Sequence, residues 1–258
     1  MRKSLLALSL VAAAATAPVQ AEYLYGFGGM YLDHQSWNHG PNAIKNASDR
    51  NQFVVGIEGG AGFTWGELYG FYDYESVEKS SDKRKASVKG QAHVYLGDTG
   101  ASLYAQVYNH DNAQQSEQNR VIGLGYTKLT GEDWWFKPWV GVHEVNAWSN
   151  FGYGNFNYDG LNGYMAGWSA GYKFEALGQN FSLVNWNEIE FNRADEYAAE
   201  MGGKTGLNGA AMLFWHVTDN FSTALTYRYF QNKLGVNEKL NDGNAYGDAL
   251  IYRVQYNF

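Results

Sequence analysis

Apolar and polar residues alternate along the chain with a period of two. In the final stretch, Leu250, Tyr252, Val254, Tyr256 and Phe258 are interleaved with Ile251, Arg253, Gln255 and Asn257. Residues two apart on a strand share a face, so one face is apolar and the other is mostly polar. The same pattern sets Phe221, Thr223, Leu225, Tyr227 and Tyr229 against Ser222, Ala224, Thr226, Arg228 and Phe230. It also sets Val88, Gly90, Ala92, Val94 and Leu96 against Ser87, Lys89, Gln91, His93 and Tyr95. Twelve such segments are expected, at 23–33, 51–64, 67–76, 86–96, 101–110, 118–129, 134–148, 162–174, 181–191, 205–218, 221–230 and 245–258.

Connection lengths alternate as well. Trp65-Gly66, GDTG at 97–100, TGED at 130–133, EALGQN at 175–180 and Asp219-Asn220 are short, whereas HQSWNHGPNAIKNASDR and QNKLGVNEKLNDGN are long and polar. Short turns at one end, long loops at the other and an even strand count are the signature of an antiparallel transmembrane β-barrel. A charge facing the mid-bilayer costs about 2–4 kcal/mol. The charged face of each strand therefore points into the lumen and the apolar face into lipid. Phe63, Trp65, Tyr95, Tyr126, Trp134, Phe136, Phe174, Phe181, Trp215, Phe221 and Phe258 fall near the short-turn ends, as a periplasmic aromatic girdle would. The segment 181–191 fits least well. If Glu188 and Glu190 face inward, Asn185 and Asn187 face lipid, and a bulge that resets the phase is expected.

Composition sharpens this picture. The chain of 258 residues has no cysteine, 31 glycines and 20 tyrosines. It is therefore expected to hold together without disulfides. Residues 1–21 read as a secretory signal peptide: Arg2 and Lys3, an apolar stretch over Leu5 to Ala15, and a small-x-small cleavage site at Val19-Gln20-Ala21. The barrel is then expected over 22–258. The formal net charge of −7 falls to about −9 once the two leader cations are removed, which argues against nucleic acid as a partner.

ELYGFYDYES at 67–76, NGAAMLFWHVTDNF at 208–221 and the terminal IYRVQYNF resemble the nucleoside-specific channel family of Tsx and OmpK. The resemblance runs through most of the mature chain in order and strand count. It implies a monomeric barrel in the bacterial outer membrane, surrounded by lipid, that passes nucleosides through a narrow lumen, with no cofactor. Some members of the family serve as phage receptors, which gives an alternative role. The terminal Phe258 resembles the signal read by the barrel-insertion machinery. The long loops match no family loop, and no nucleoside-contact residue is carried over.

A nucleoside offers a flat base and a polar sugar. Aromatic faces can stack the first, while carboxylates, amides and hydroxyls bind the second. The inward faces nominate Glu58, Tyr69, Phe71, Asp73, Glu75, Lys89, His93, Trp186, Glu188, Arg228 and Arg253 as substrate-binding lumen residues, beside Lys173 and Glu190. The plainer alternative is that the charges are cross-strand ion pairs filling a narrow barrel. Gly163, Gly167 and Gly171 share the inner face of one segment and are expected to leave room in the lumen. His34 and Ser36 share a face at the outer end of the first segment, as a lipid-modifying barrel enzyme would place them. Trp37 follows Ser36, however, where those enzymes carry Asn, so the pair reads as part of a wet loop. His110-Asp111-Asn112 reads the same way. The histidines show no metal-ligand spacing, and no enzyme activity is expected.

Overall fold

The computed structural model describes residues 21–38, 47–149, 155–236 and 245–258. The expected signal peptide, apart from Ala21, and the centre of the loop after the first strand lie outside the described residues. The strands are β1 (Tyr23–Trp37), β2 (Gln52–Phe63), β3 (Gly66–Glu75), β4 (Lys85–Tyr95), β5 (Ala101–Asp111), β6 (Gln115–Tyr126), β7 (Leu129–Thr130), β8 (Trp134–Ser149), β9 (Phe156–Ala176), β10 (Gln179–Phe191), β11 (Gly206–Thr218), β12 (Phe221–Gln231) and β13 (Tyr246–Asn257). Each long strand pairs antiparallel with its neighbours in sequence, β1 pairs with β13, and β6 pairs with β8. The ring is closed by twelve strands. Strand β7 is a two-residue addition that pairs with β8 at Leu129↔Phe136 and Thr130↔Trp135. Among the described residues every one of the twelve long strands is paired on both sides, which a bilayer demands because lipid cannot satisfy backbone N–H and C=O groups.

The alternation in sequence becomes an alternation of faces. Tyr252, Val254 and Tyr256 are exposed on the outer wall, while Ile251, Arg253 and Gln255 are buried inside. Tyr95 departs from the expected girdle, because its hydroxyl points inward and donates to Glu67 (2.7 Å). Strand β1 runs on to Trp37, so His34 and Ser36 lie on a strand and not in a wet loop. The His34 ring packs against Phe53 (4.9 Å) and Tyr252 (6.4 Å) in the outer wall. Strand β9 begins at Phe156, earlier than expected. The β8–β9 register shifts between Val142 and Glu144, close to Gly163 at φ +74°.

The expected bulge in β10 is absent: its register with β9 and β11 is continuous from Asn180 to Glu190. Asn185 and Asn187 do face outward, and the wall satisfies them. Trp168 Nε1 donates to Asn185 Oδ1 (2.9 Å), and Asn185 Nδ2 donates to the Ala210 carbonyl (2.8 Å). Tyr229 donates to Asn187 Oδ1 (2.7 Å). Polar groups facing lipid are tolerated when their hydrogen bonds are made internally.

The inner glycines of β9 do not leave the lumen empty. Gly167 and Gly171 seat tryptophans of β8, and Gly163 lies against the Asn192 backbone. A Cβ on Gly171 would stand 2.0 Å from the Trp135 ring, and one on Gly167 would stand 2.6 Å from Trp139. Gly171→Ala therefore has to displace a large ring within a packed wall. The expected loss is about 1–3 kcal/mol, read as a lower denaturant midpoint for the refolded barrel. An unchanged midpoint would mean that Trp135 has another rotamer at no cost.

Candidate functional site: the barrel lumen

The wall formed by β13, β1, β2 and β3 carries a continuous polar network. Arg253 holds Asp33 with two bonds, Nε to Oδ1 (2.7 Å) and Nη2 to Oδ2 (2.8 Å). Its Nη1 reaches Glu58 Oε1 (3.0 Å), and Tyr69 donates to Glu58 Oε2 (2.8 Å). Tyr31 lies under the guanidinium, 3.5 Å from ring centroid to Cζ, and its hydroxyl donates to Asp73 (2.5 Å). The glycines of β2 make this reach possible. Gly56, inward on β2, has no side chain to block the Tyr31 ring, whose nearest atom would stand 2.3 Å from a Cβ there.

The wall formed by β4, β5, β6, β8 and β9 is packed instead. Tyr104 stacks on Trp139 (4.4 Å between centroids) beside Val121 and Met165. His93 belongs to this packing: it tilts against Tyr104 (4.9 Å) and shares a hydrogen bond with Ser102 Oγ (2.8 Å). The aromatic cluster fills the side of the lumen lined by these strands.

Between the two walls the lumen is bridged. Lys89 on β4 meets Glu188 on β10 at 2.5 Å, and Gln106 Nε2 on β5 donates to the same Glu188 oxygen (2.9 Å). Four strands separate β4 from β10 one way round the ring and six the other, so this contact spans the interior. Trp186 lies beside the bridge, with Lys89 Nζ 5.9 Å and Arg228 Cζ 5.4 Å from its ring centroid. Towards the periplasm, Lys137 on β8 pairs with Glu67 on β3. Phe27, Tyr69 and Phe71 form a run of rings on the β1–β3 side, at 6.2 and 6.5 Å between successive centroids.

Chain that follows the strands narrows the outer mouth. The helix α1 (Asp195–Met201) inserts Tyr197 against Val145 and Ala147, and the Tyr197 hydroxyl donates to Glu117 (3.2 Å). Arg193 is fully buried, with Nε on Glu190 (2.7 Å) and Nη2 on the Asn232 carbonyl (3.1 Å). Lys233 pairs with Glu190 and, at 3.5 Å, with Glu117. Burial alone would lower the Lys233 ammonium, but the two carboxylates together hold it above the ordinary lysine value.

All eleven nominated residues lie on inward-facing positions of the strands. The structure joins Glu58, Tyr69, Asp73 and Arg253 into one network. It joins Lys89, Trp186, Glu188 and Arg228 into a second group at the bridge. Glu75 is set apart, accepting from Gln52 (3.0 Å) and Ser87 (2.5 Å). Tyr31, Asp33 and Gln106, which the sequence reading does not single out, complete these groups, and Glu67 and Lys137 add a separate pair. Tyr31 and Asp33 carry the same period-two signal in β1 that marked the other strands. Arg50, Arg193 and Lys233 lie between strands and give no periodic signal.

A closed antiparallel ring with an apolar outer wall and a charged, partly aromatic interior defines an outer-membrane β-barrel channel. The family model for the nucleoside-specific channel-forming protein Tsx matches residues 30–258, and the chain belongs to that family. An outer membrane protein OmpK of Vibrio parahaemolyticus is 24% identical over 283 residues, covering 100% of both chains. A second OmpK, from V. parahaemolyticus serotype O3:K6 (strain RIMD 2210633), is 23% identical and covers 92% of this chain and 93% of its own. Among solved structures, the NanC porin matches with a TM-score of 0.53 at 11% identity, over 88% of this chain and 98% of that one. The protein resides in the bacterial outer membrane.

Proposed function

We propose that the barrel mediates facilitated diffusion of nucleosides, or of similar small polar solutes with a flat ring. The observation that carries this reading is Trp186. It stands beside the Lys89–Glu188 bridge, where solute has to pass, with Lys89 and Arg228 within 6 Å of its ring. Its face suits a base, and the charged groups around it suit sugar hydroxyls. Membership of the Tsx family supports the same assignment. Binding at such a site has to stay weak enough for release. Phe258, exposed at the periplasmic end of the wall with its backbone N–H on the Gly28 carbonyl (3.0 Å), is the group we assign to the insertion machinery.

Single-channel recording of the refolded protein tests the assignment. Adenosine and thymidine are expected to interrupt the ion current, with glucose inert at the same concentration. Stacking on one ring is worth about 1–3 kcal/mol, so Trp186→Ala is expected to raise the blocking concentration about tenfold. A current indifferent to nucleosides would leave a channel and remove the nucleoside assignment.

A further inference from the structure

Several lumen cations sit on carboxylates: Arg253 on Asp33 and Glu58, Lys89 on Glu188, and Lys137 on Glu67. Two near the outer mouth do not. Among the described residues, neither Arg50 nor Arg228 forms an ion pair. Arg50 is stacked on Trp37, 3.8 Å from ring centroid to Cζ, and its Nη2 donates to the Leu234 carbonyl (3.0 Å). Its Nη1 is buried and has no partner. Arg228 donates through Nη2 to Asn208 Oδ1 (3.0 Å), and its Nε is likewise buried without a partner.

The two side chains belong to one locality. Trp37 is in register with Ala249 on β13, and Ala249 is in register with Arg228 on β12. Arg50 thus rests on a ring two strands from Arg228, at the same rung. Burial pushes the Arg50 guanidinium down to about 10, and the largest charge contribution to that shift is Arg228. Glu75 is the carboxylate that opposes this effect, but its oxygens already accept from Gln52 and Ser87. A buried guanidinium N–H without an acceptor is costly. Two like charges close together make an oxyanion favourable there, since charge-assisted bonds to phosphate or carboxylate are the strong ones.

We propose that Arg50 and Arg228 form an oxyanion subsite beside Trp186, which takes the phosphate or carboxylate of an anionic solute. The proposal rests on the channel reading given above. It needs the nucleoside reading only for what lies on the Trp186 ring. A solute with both parts, such as a nucleoside monophosphate, would place its charge on the guanidiniums and its base on the tryptophan.

The test uses the full mature chain in planar bilayers at fixed ionic strength, with adenosine, adenosine monophosphate and inorganic phosphate as probes. In the native protein the monophosphate is expected to block at a concentration about tenfold below that of adenosine, and inorganic phosphate to compete with it. Arg50→Gln and Arg228→Gln should each abolish the advantage of the monophosphate over adenosine. Arg228→Lys keeps the charge and should retain part of it, which separates loss of the site from loss of the fold. Equal block by adenosine and its monophosphate in the native chain would overturn the subsite. So would an advantage that survives in both glutamine variants, or one that inorganic phosphate does not compete away. Block by phosphate and monophosphate with none by adenosine would remove the nucleoside assignment and keep the subsite.

Discussion

Arg253→Met is expected to destabilise the folded barrel by about 3–5 kcal/mol, the range for breaking a buried ion pair from one side. The side chain is about one-tenth exposed, and Asp33 less still. Its removal strands two carboxylates, Asp33 and Glu58, and takes away the cation resting on Tyr31. The cost comes mainly from uncompensated buried charge. The triple variant Arg253→Met, Asp33→Asn, Glu58→Gln should therefore be more stable than the single one. Denaturant unfolding of the refolded protein in lipid or detergent reads both. Because the pairs are shielded from solvent, added salt should do little to either. A single variant as stable as the native barrel would mean that water enters the wall and solvates Asp33.

Lys89→Ala combined with Glu188→Ala is expected to widen the path and raise the single-channel conductance by about twofold or more, with weaker discrimination between solutes. The two side chains meet across the interior, and Gln106 is tied to the same carboxylate. Removing both together avoids leaving one charge alone in the lumen. Glu188→Gln by itself should behave differently, since it frees the Lys89 ammonium beside Trp186 and Arg228 and should shift selectivity towards anions. Reversal potentials in a salt gradient report that shift. If the double variant conducts as the native chain does, the narrowest point lies elsewhere, the Arg193–Glu190–Lys233 cluster of the outer mouth being the next place to open.

The sequence by itself determined the strand count, the direction in which each strand faces and the end at which each connection is short. These features are local. Alternation over about ten residues and the cost of a charge in lipid act on each segment separately. The family resemblance was equally legible, because its motifs are strand segments. The contacts inside the lumen were not. Lys89 and Glu188 are 99 positions apart, and Arg253 and Asp33 are 220 apart. Period two places all four inward but gives no relative height, which the register of every intervening pair sets. Asn185 and Asn187 show the same limit: the pattern suggested a bulge, whereas β9 brought Trp168 and β12, two strands away, brought Tyr229 to satisfy them. Gly167 and Gly171 on β9 read as free space, whereas the register puts Trp139 and Trp135 over them. Closure of the ring decided which charges found partners and which, like Arg228, kept a buried donor unmet. Pairing across a barrel depends on stagger and circumference, and no single strand carries that information.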